Sequence, residues 1–164
     1  MSVDAAPTPA VAHQLQLVVY GTPIPQGSKR VVRGRVIDAN QEALHAWREA
    51  VKLAALRELA ITPGWDRDYP CIFARLGFTL ARPKLHYRTG AHAHELRPDA
   101  PQLHTTQPDL DKLIRAVLDS LTQAGAYRDD RRVAEISATK LYPGQGPRQL
   151  DRPGVVVQLN GYRP

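Results

Sequence analysis

The amino-acid sequence predicts a two-layer α+β fold in which a mixed sheet is covered by two main helices. Apolar residues alternate or run continuously in several short segments, as they do in strands. Two longer segments instead carry apolar residues three and four positions apart, which is the spacing of a helix face. At 164 residues, the chain is near the size of one ordinary domain.

The predicted strands are spread along the whole chain. Gln14–Tyr20 alternates and then becomes continuously apolar, and Gly21 with the two prolines that follow it ends this first strand. A short hairpin is expected next, with residues 30–32 paired to residues 35–37. Three further strands are predicted at Cys71–Ala81, Val133–Leu141 and Val155–Leu159.

The two predicted helices have clear start and stop signals. The first covers about Gln41–Ala60, with Asp38 or Asn40 as its cap, and a Pro-Gly pair at residues 63–64 ends it. The second has the clearest pattern in the chain, and Gly125 supplies its C-terminal stop. Its apolar stripe consists of Leu110, Leu113, Ile114, Val117, Leu118 and Leu121.

Two regions lack regular patterning. Residues 1–13 are rich in Pro and Ala and are interpreted as a flexible tail, which leaves residues 14–164 as one domain. Residues 82–106 form a long polar stretch that holds four of the six histidines. A loop of this length inside a compact domain is usually functional or disordered.

Composition excludes several classes of protein. The chain is 43% hydrophobic and 23% charged, which is typical of soluble globular proteins rather than disordered ones. Its apolar runs are too short for a membrane span, and its first residues lack the pattern of a secretory signal. Cys71 is the single cysteine, so no internal disulfide framework is expected, and we predict a cytoplasmic location.

The charges are unevenly distributed. The net charge is +6 and the isoelectric point is near 9.8, which meets the usual criterion for a nucleic-acid partner. Basic residues gather at Lys29, Arg30, Arg33 and Arg35, and again at Arg82, Lys84, Arg88 and Arg97. Five of the sixteen acidic residues fall within 22 positions, namely Asp109, Asp111, Asp119, Asp129 and Asp130. This pattern suggests a polyanionic substrate and a metal-binding centre.

The segment from Pro108 to Val133 carries the strongest candidate chemistry. Asp109 and Asp111 lie at the entrance of the second helix, and Asp129-Asp130 follow its end. A helix of about fifteen residues is some 22 Å long, so the two acidic pairs are separated if they simply lie at its two ends. They come together instead if the segments before and after the helix share a sheet. The sequence spacing leaves both arrangements open. Carboxylate ligands without His or Cys favour Mg²⁺ or Mn²⁺ over zinc. The alternative is that Asp109 caps the helix and Asp129-Asp130 form a polar turn.

Three weaker signals in the sequence also have structural explanations. The stretch from Gly21 to Lys29 breaks the order of a phosphate-binding loop, so nucleotide hydrolysis and a nucleotide cofactor are not expected. His92 and His94, with two further loop histidines, are better explained as solvent-exposed side chains than as zinc ligands. The basic hairpin is either a solvated strand edge or a set of phosphate contacts, and the charge balance favours phosphate contacts.

The acidic segment resembles the signature of the RusA family of Holliday junction resolvases, particularly the longer versions carried by phages of actinobacteria. The likeness covers about residues 15–160. It is carried by the Asp-Leu-Asp motif at 109–111 and the Asp-Asp pair at 129–130. Outside that core it extends to Val19–Pro23 with the basic hairpin beyond, Arg82-Pro83-Lys84, His86-Tyr87, Thr105-Thr106 and Lys140.

The resemblance implies a homodimeric, Mg²⁺-dependent endonuclease that cuts branched DNA. It assigns the metal to Asp109, Asp111 and Asp130. Family members also carry a catalytic lysine one helical turn after the second aspartate, where this chain has Arg115; Lys112 and Lys140 are the alternatives. An arginine keeps the charge but cannot transfer a proton at ordinary pH.

The function that follows is a structure-selective endodeoxyribonuclease that resolves four-way junctions by paired nicks. A junction has near two-fold symmetry, which a two-fold dimer matches. The alternatives are a branched-DNA-binding protein without activity and a nuclease with broader flap or fork specificity. The expected DNA contacts are Lys29, Arg30, Arg33, Arg35, Arg82, Lys84 and Lys112. If the chain is phage-encoded, it would act in the bacterial host cell.

Overall fold

A computed structural model describes residues 11–27, 29–33, 35–38, 40–144 and 146–163, and it confirms the predicted α+β class. Its strands are β1 (Val11–Tyr20), β2 (Lys29–Val32), β3 (Arg35–Asp38), β4 (Cys71–Thr79), β5 (Val133–Leu141) and β6 (Gly154–Tyr162). Its two main helices are α1 (Gln41–Ile61) and α2 (Leu110–Ala124). Every predicted helix and strand is present, with ends shifted by a few residues.

Four strands form one mixed sheet in the order β1-β6-β4-β5. β6 runs antiparallel to both of its neighbours, and β4 runs parallel to β5. Because β4 and β5 are parallel, the segment between them must cross back along the sheet, and α2 supplies that crossover. β2 and β3 form a separate two-stranded hairpin. The predicted tail lies largely outside the described residues, and its last three positions belong to β1.

The core lies between the helices and one face of the sheet. Alternate residues of β1, β4 and β6 are buried there, as the period of two in their sequences predicts. Trp47, Val51 and Ala55 of α1 and Leu113, Val117 and Leu121 of α2 complete the core. The stripe predicted for α2 therefore divides, because Leu110, Ile114 and Leu118 remain only partly buried.

A local signal fixes the end of α2, whereas the predicted cap of α1 makes no capping hydrogen bond. Gly125 adopts φ 75°, and its N–H donates to the carbonyls of Leu121 and Thr122, so it ends α2 as predicted. Asn40 occupies the N-cap position of α1, but its side chain makes no capping hydrogen bond. Neither helix in the described ranges combines the length and apolarity needed to cross a bilayer.

Candidate active site

The N-terminal end of α2 presents two exposed carboxylates. Asp109 stands at the N-cap position with extended backbone (φ −66°, ψ 135°), and Asp111 lies in the first helical turn. The Asp109 side chain makes no capping hydrogen bond, so the alternative role as a side-chain cap is not seen. Its Oδ2 instead accepts from Lys112 Nζ at 2.7 Å. This hydrogen bond is the main reason that the pKa of Asp109 lies below its usual value.

A second lysine organises the chain just before Asp109. Lys140, the second-last residue of β5, donates from Nζ to the carbonyls of Thr106 (2.6 Å) and Pro108 (2.9 Å). The peptide bond between Gln107 and Pro108 is cis. Lys140 therefore ties the approach to α2 to the carboxyl end of β5, and it also contributes to the lowered pKa of Asp109.

The other acidic pair lies at the opposite end of α2. Asp129 accepts from the N–H of Arg131 at 3.0 Å, so it caps the short 3₁₀ turn Asp130–Arg132 that leads into β5. This hydrogen bond lowers the pKa of Asp129. Asp130 is exposed and lies in a cleft of about 370 Å³ with Asp119 and Thr122 near the end of α2.

The predicted carboxylates therefore form two groups within one chain. α2 has 15 residues and is ~22 Å long, and the chain returns to Asp130 only after passing its far end. β5 then runs back along the helix, which selects the separated arrangement of the two that spacing left open. Among the described residues, no three His, Cys, Asp or Glu side chains are grouped so that they could hold a metal ion. The donor set of a single chain does not fit a three-carboxylate centre.

A comparison with protein families identifies the group of proteins to which the whole chain is related. The family model described as Endodeoxyribonuclease RusA matches residues 20–158, which is most of the chain. The chain belongs to the RusA family. The resemblance noted in the sequence is thus confirmed, and membership implies an endodeoxyribonuclease of the Holliday junction resolvase type. A search of curated proteins found no match.

In this RusA-family chain, the three candidates for the catalytic cation lie in different places. Lys112 and Lys140 flank Asp109, as described above. Arg115 is exposed and lines an open groove of about 600 Å³ with α1 residues such as His45 and Arg48. No ion pair joins it to Asp111 or to another acid in the described part of the chain.

Arg115 is four positions from Asp119 along α2 but makes no ion pair with it, because other groups occupy that carboxylate. Asp119 Oδ2 accepts from Gln26 Nε2 at 2.7 Å and lies 3.9 Å from Arg48. The backbone N–H of Gln26 also donates to the carbonyl of Lys112 at 3.0 Å. The loop after β1 is thereby fastened to α2 at two points. Sequence reasoning missed this contact because the partners are 93 positions apart.

The other basic residues of the RusA-family chain have mixed environments. Arg33 is exposed at the tip of the hairpin, whereas the side chains of Lys29, Arg30 and Arg35 lie outside the described part of the structure. Lys84 is exposed. Arg82 is already engaged, since its guanidinium lies 4.0 Å from the centre of the Tyr142 ring and donates to the carbonyl of Pro101.

Residues 82–106 form an ordered loop with two 3₁₀ turns, Lys84–His86 and Gly90–His92. Tyr142 is its anchor, because the rings of His86 and His104 pack against it at 5.6 and 4.9 Å. Burial lowers the pKa of His104. His92 lies 2.9 Å from Glu95, and the described histidines form no metal-binding group. His86 and His104 therefore contribute to packing on Tyr142, and His92 makes a surface contact with Glu95.

Proposed function

We propose that the chain is a Mg²⁺-dependent endonuclease that resolves four-way DNA junctions by paired nicks, with Mn²⁺ as an alternative metal. One observation supports this most directly: Asp109 and Asp111 stand exposed at the head of α2, with Lys112 and Lys140 beside them. Carboxylates suit a hard divalent ion, and lysines suit phosphate oxygens. The RusA family match gives this arrangement its reaction class.

The two lysines have different proposed roles. Lys112 is held only by an exposed ion pair, so its ammonium can turn to a phosphate and neutralise charge in the transition state. Lys140 has two of its donors on backbone carbonyls, so it acts as a positioning residue for Pro108 and Asp109. Arg115, on the groove side of α2, fits a contact with the DNA backbone more readily than a contact with the reacting phosphate.

The metal proposal uses Asp109, Asp111 and Asp130, and the enzyme is proposed to be a homodimer. Asp130 is the better candidate of its pair, since Asp129 is already committed to capping a turn. Because Asp130 is a helix length away in its own chain, a complete set of three carboxylates requires more than one chain. The hairpin cations, Lys84 and Lys112 are proposed to contact DNA phosphates.

A cleavage assay tests the proposal. A synthetic four-way junction should be cut by paired nicks with Mg²⁺ and left intact with a chelator, while a linear duplex of the same sequence should remain uncut. Asp109→Asn should abolish cutting, and Asp151→Asn is the matched control, because Asp151 is an exposed carboxylate in the loop before β6.

Each contrary result selects an alternative. Tight junction binding without cutting under any divalent ion would leave a branched-DNA-binding protein. Equal cutting of flaps and forks would indicate the broader nuclease.

A further inference from the structure

Tyr142, the residue after β5, joins the two ends of the loop at residues 82–106. The Tyr142 side chain is buried, and the ring of His86 meets it edge-on at 5.6 Å, while the ring of His104 lies tilted against it at 4.9 Å. Arg82 places its guanidinium 4.0 Å from the centre of the same ring. The loop therefore begins and ends on one aromatic side chain, and the contact at its C-terminal end is His104.

The segment from His104 to Pro108 leads from this contact to the candidate active site. Three alternate residues of the segment are held from the end of β5. Tyr142 packs on His104, and Lys140 Nζ donates to the carbonyls of Thr106 and Pro108. Because position 104 meets 142 while positions 106 and 108 meet 140, the segment runs antiparallel to the end of β5. The packing of His104 is thus the first of three attachments that lead to the carboxylate at the N-cap of α2.

The surroundings of the His104 ring favour its neutral form. His104 is 8% exposed, and its Nδ1 is buried with no hydrogen-bond partner in the described part of the chain. Burial lowers the pKa of His104 most, and the charge of Lys140 lowers it further, against an opposing influence of the backbone at positions 104 and 106. Arg82 already lies on the Tyr142 ring, so a second cation there would be repelled. A protonated His104 would therefore be a poorly compensated buried charge.

His86 differs from His104 in having an acid nearby. His86 lines a small cleft with Arg97 and Asp99, and the charge of His86 acts on the Asp99 carboxylate. A proton on His86 therefore meets negative charge, whereas a proton on His104 meets the ammonium of Lys140. The titratable and charged groups that face His104 are Tyr142, His86, Arg82 and Lys140. None of these four is a carboxylate.

We propose that His104 is a positioning residue for the nuclease site: its neutral ring, packed on Tyr142, holds residues 104–108 along the end of β5, and its protonation releases them. This inference rests on the proposed nuclease function, but the packing of the ring can be measured without cleavage. The proton comes from solvent, and the released imidazole carries it in solvent, where a histidine has its ordinary pKa near 6.5.

Acidification should shift the balance toward the released segment. Below its ordinary pKa a released His104 binds a proton, whereas the packed ring, whose pKa is lowered by burial, does not. By linkage, lowering the pH below that value favours release until the packed ring is protonated as well. The Lys112 ammonium holds the pKa of Asp109 below its usual value, so this carboxylate keeps its charge over the same range. The expected loss of cleavage is therefore separate from the titration of Asp109.

A pH profile of cleavage tests the positioning role. At saturating Mg²⁺ and enzyme, the wild-type single-turnover rate should fall about tenfold per pH unit below the apparent pKa of His104, the slope for a single proton. His104→Phe keeps an aromatic ring against Tyr142 but cannot bind a proton, so this fall should be absent from its profile, whatever its rate at neutral pH. His94→Phe is the matched control, because His94 is exposed on the same loop, and it should follow the wild-type profile. Equal profiles for the wild type and His104→Phe would overturn the proposal.

Histidine-ring NMR of the full chain tests the packing without relying on cleavage. The ring protons of His104 carry a ring-current shift from Tyr142 while the two rings are packed, and this shift should disappear as His104 binds a proton. A ring that binds a proton and keeps its shift would refute the release, even if His104→Phe fails to fold. If the packing is lost on protonation but the wild-type chain cuts no junction at any pH, the proposed nuclease function is wrong and the release of residues 104–108 is still supported.

Discussion

The two ends of α2 carry the same kind of side chain in opposite surroundings. At the N-terminal end, Lys112 and Lys140 lie close to Asp109 and hold its pKa down. At the C-terminal end, Asp129 is used by its own backbone turn, and no ion pair to Asp130 is found among the described residues. The N-terminal end has a carboxylate whose pKa is lowered by neighbouring lysines, whereas the C-terminal end uses one of its two carboxylates to cap a turn. Neither end by itself is therefore a complete hydrolytic site.

The largest expected effect on the cleavage rate comes from the carboxylates at the N-terminal end of α2. Asp109→Asn and Asp111→Asn should each lower the single-turnover rate on a junction by at least ~10²–10³-fold, the range found when one stabilising group of a transition state is removed. Junction affinity should be unchanged or higher, because a negative charge facing phosphate has been removed. Gel-shift and quenched-cleavage measurements on the same junction check both parts. A normal rate for either variant would remove that carboxylate from the site.

Removing one of the basic side chains near α2 should lower the cleavage rate less than removing a carboxylate does. Lys112→Ala and Lys140→Ala are expected to slow cleavage of saturated junction by about 10- to 100-fold, whereas Arg115→Ala should chiefly weaken binding. Single-turnover rates at saturating enzyme separate these effects. If only Arg115→Ala lowered the rate, Arg115 would be the residue that takes the place of the family's catalytic lysine.

The smallest expected effect is a change in the pKa of Asp109 when Lys112 is replaced. In Lys112→Met, the pKa of Asp109 should rise toward its ordinary value, because the main cause of its lowering has been removed. The wild-type carboxylate therefore stays ionised to lower pH than the carboxylate of the variant. Carboxyl-carbon NMR of Asp109 follows this directly, and Asp99 is a control because its pKa is lowered by Arg97 instead. Identical titration of Asp109 in both proteins would show that Lys112 does not control it.

Local patterns predicted the elements of this fold well. The stripe from Leu110 to Leu121 and the glycine at position 125 define α2 because each depends only on neighbours within a turn or two. The position of Asp130 could not be predicted in this way, since it depends on the direction in which β5 pairs with β4. Likewise, the hydrogen bond from Gln26 to Asp119 is long-range, and it occupies a carboxylate that lies one helical turn from Arg115.

The attachment of Gln26 to α2 limits how far the basic hairpin can lie from that helix. Gln26 is bonded to Lys112 and to Asp119, and Lys29, the first residue of β2, follows three positions later. Three extended residues span at most ~11 Å, so the backbone at Lys29 cannot move farther than that from this attachment point. A short tether keeps two binding elements at a high effective concentration for a shared ligand. Once a DNA strand is bound at the N-terminal end of α2, its binding to the start of the hairpin would therefore be an intramolecular step at high effective concentration.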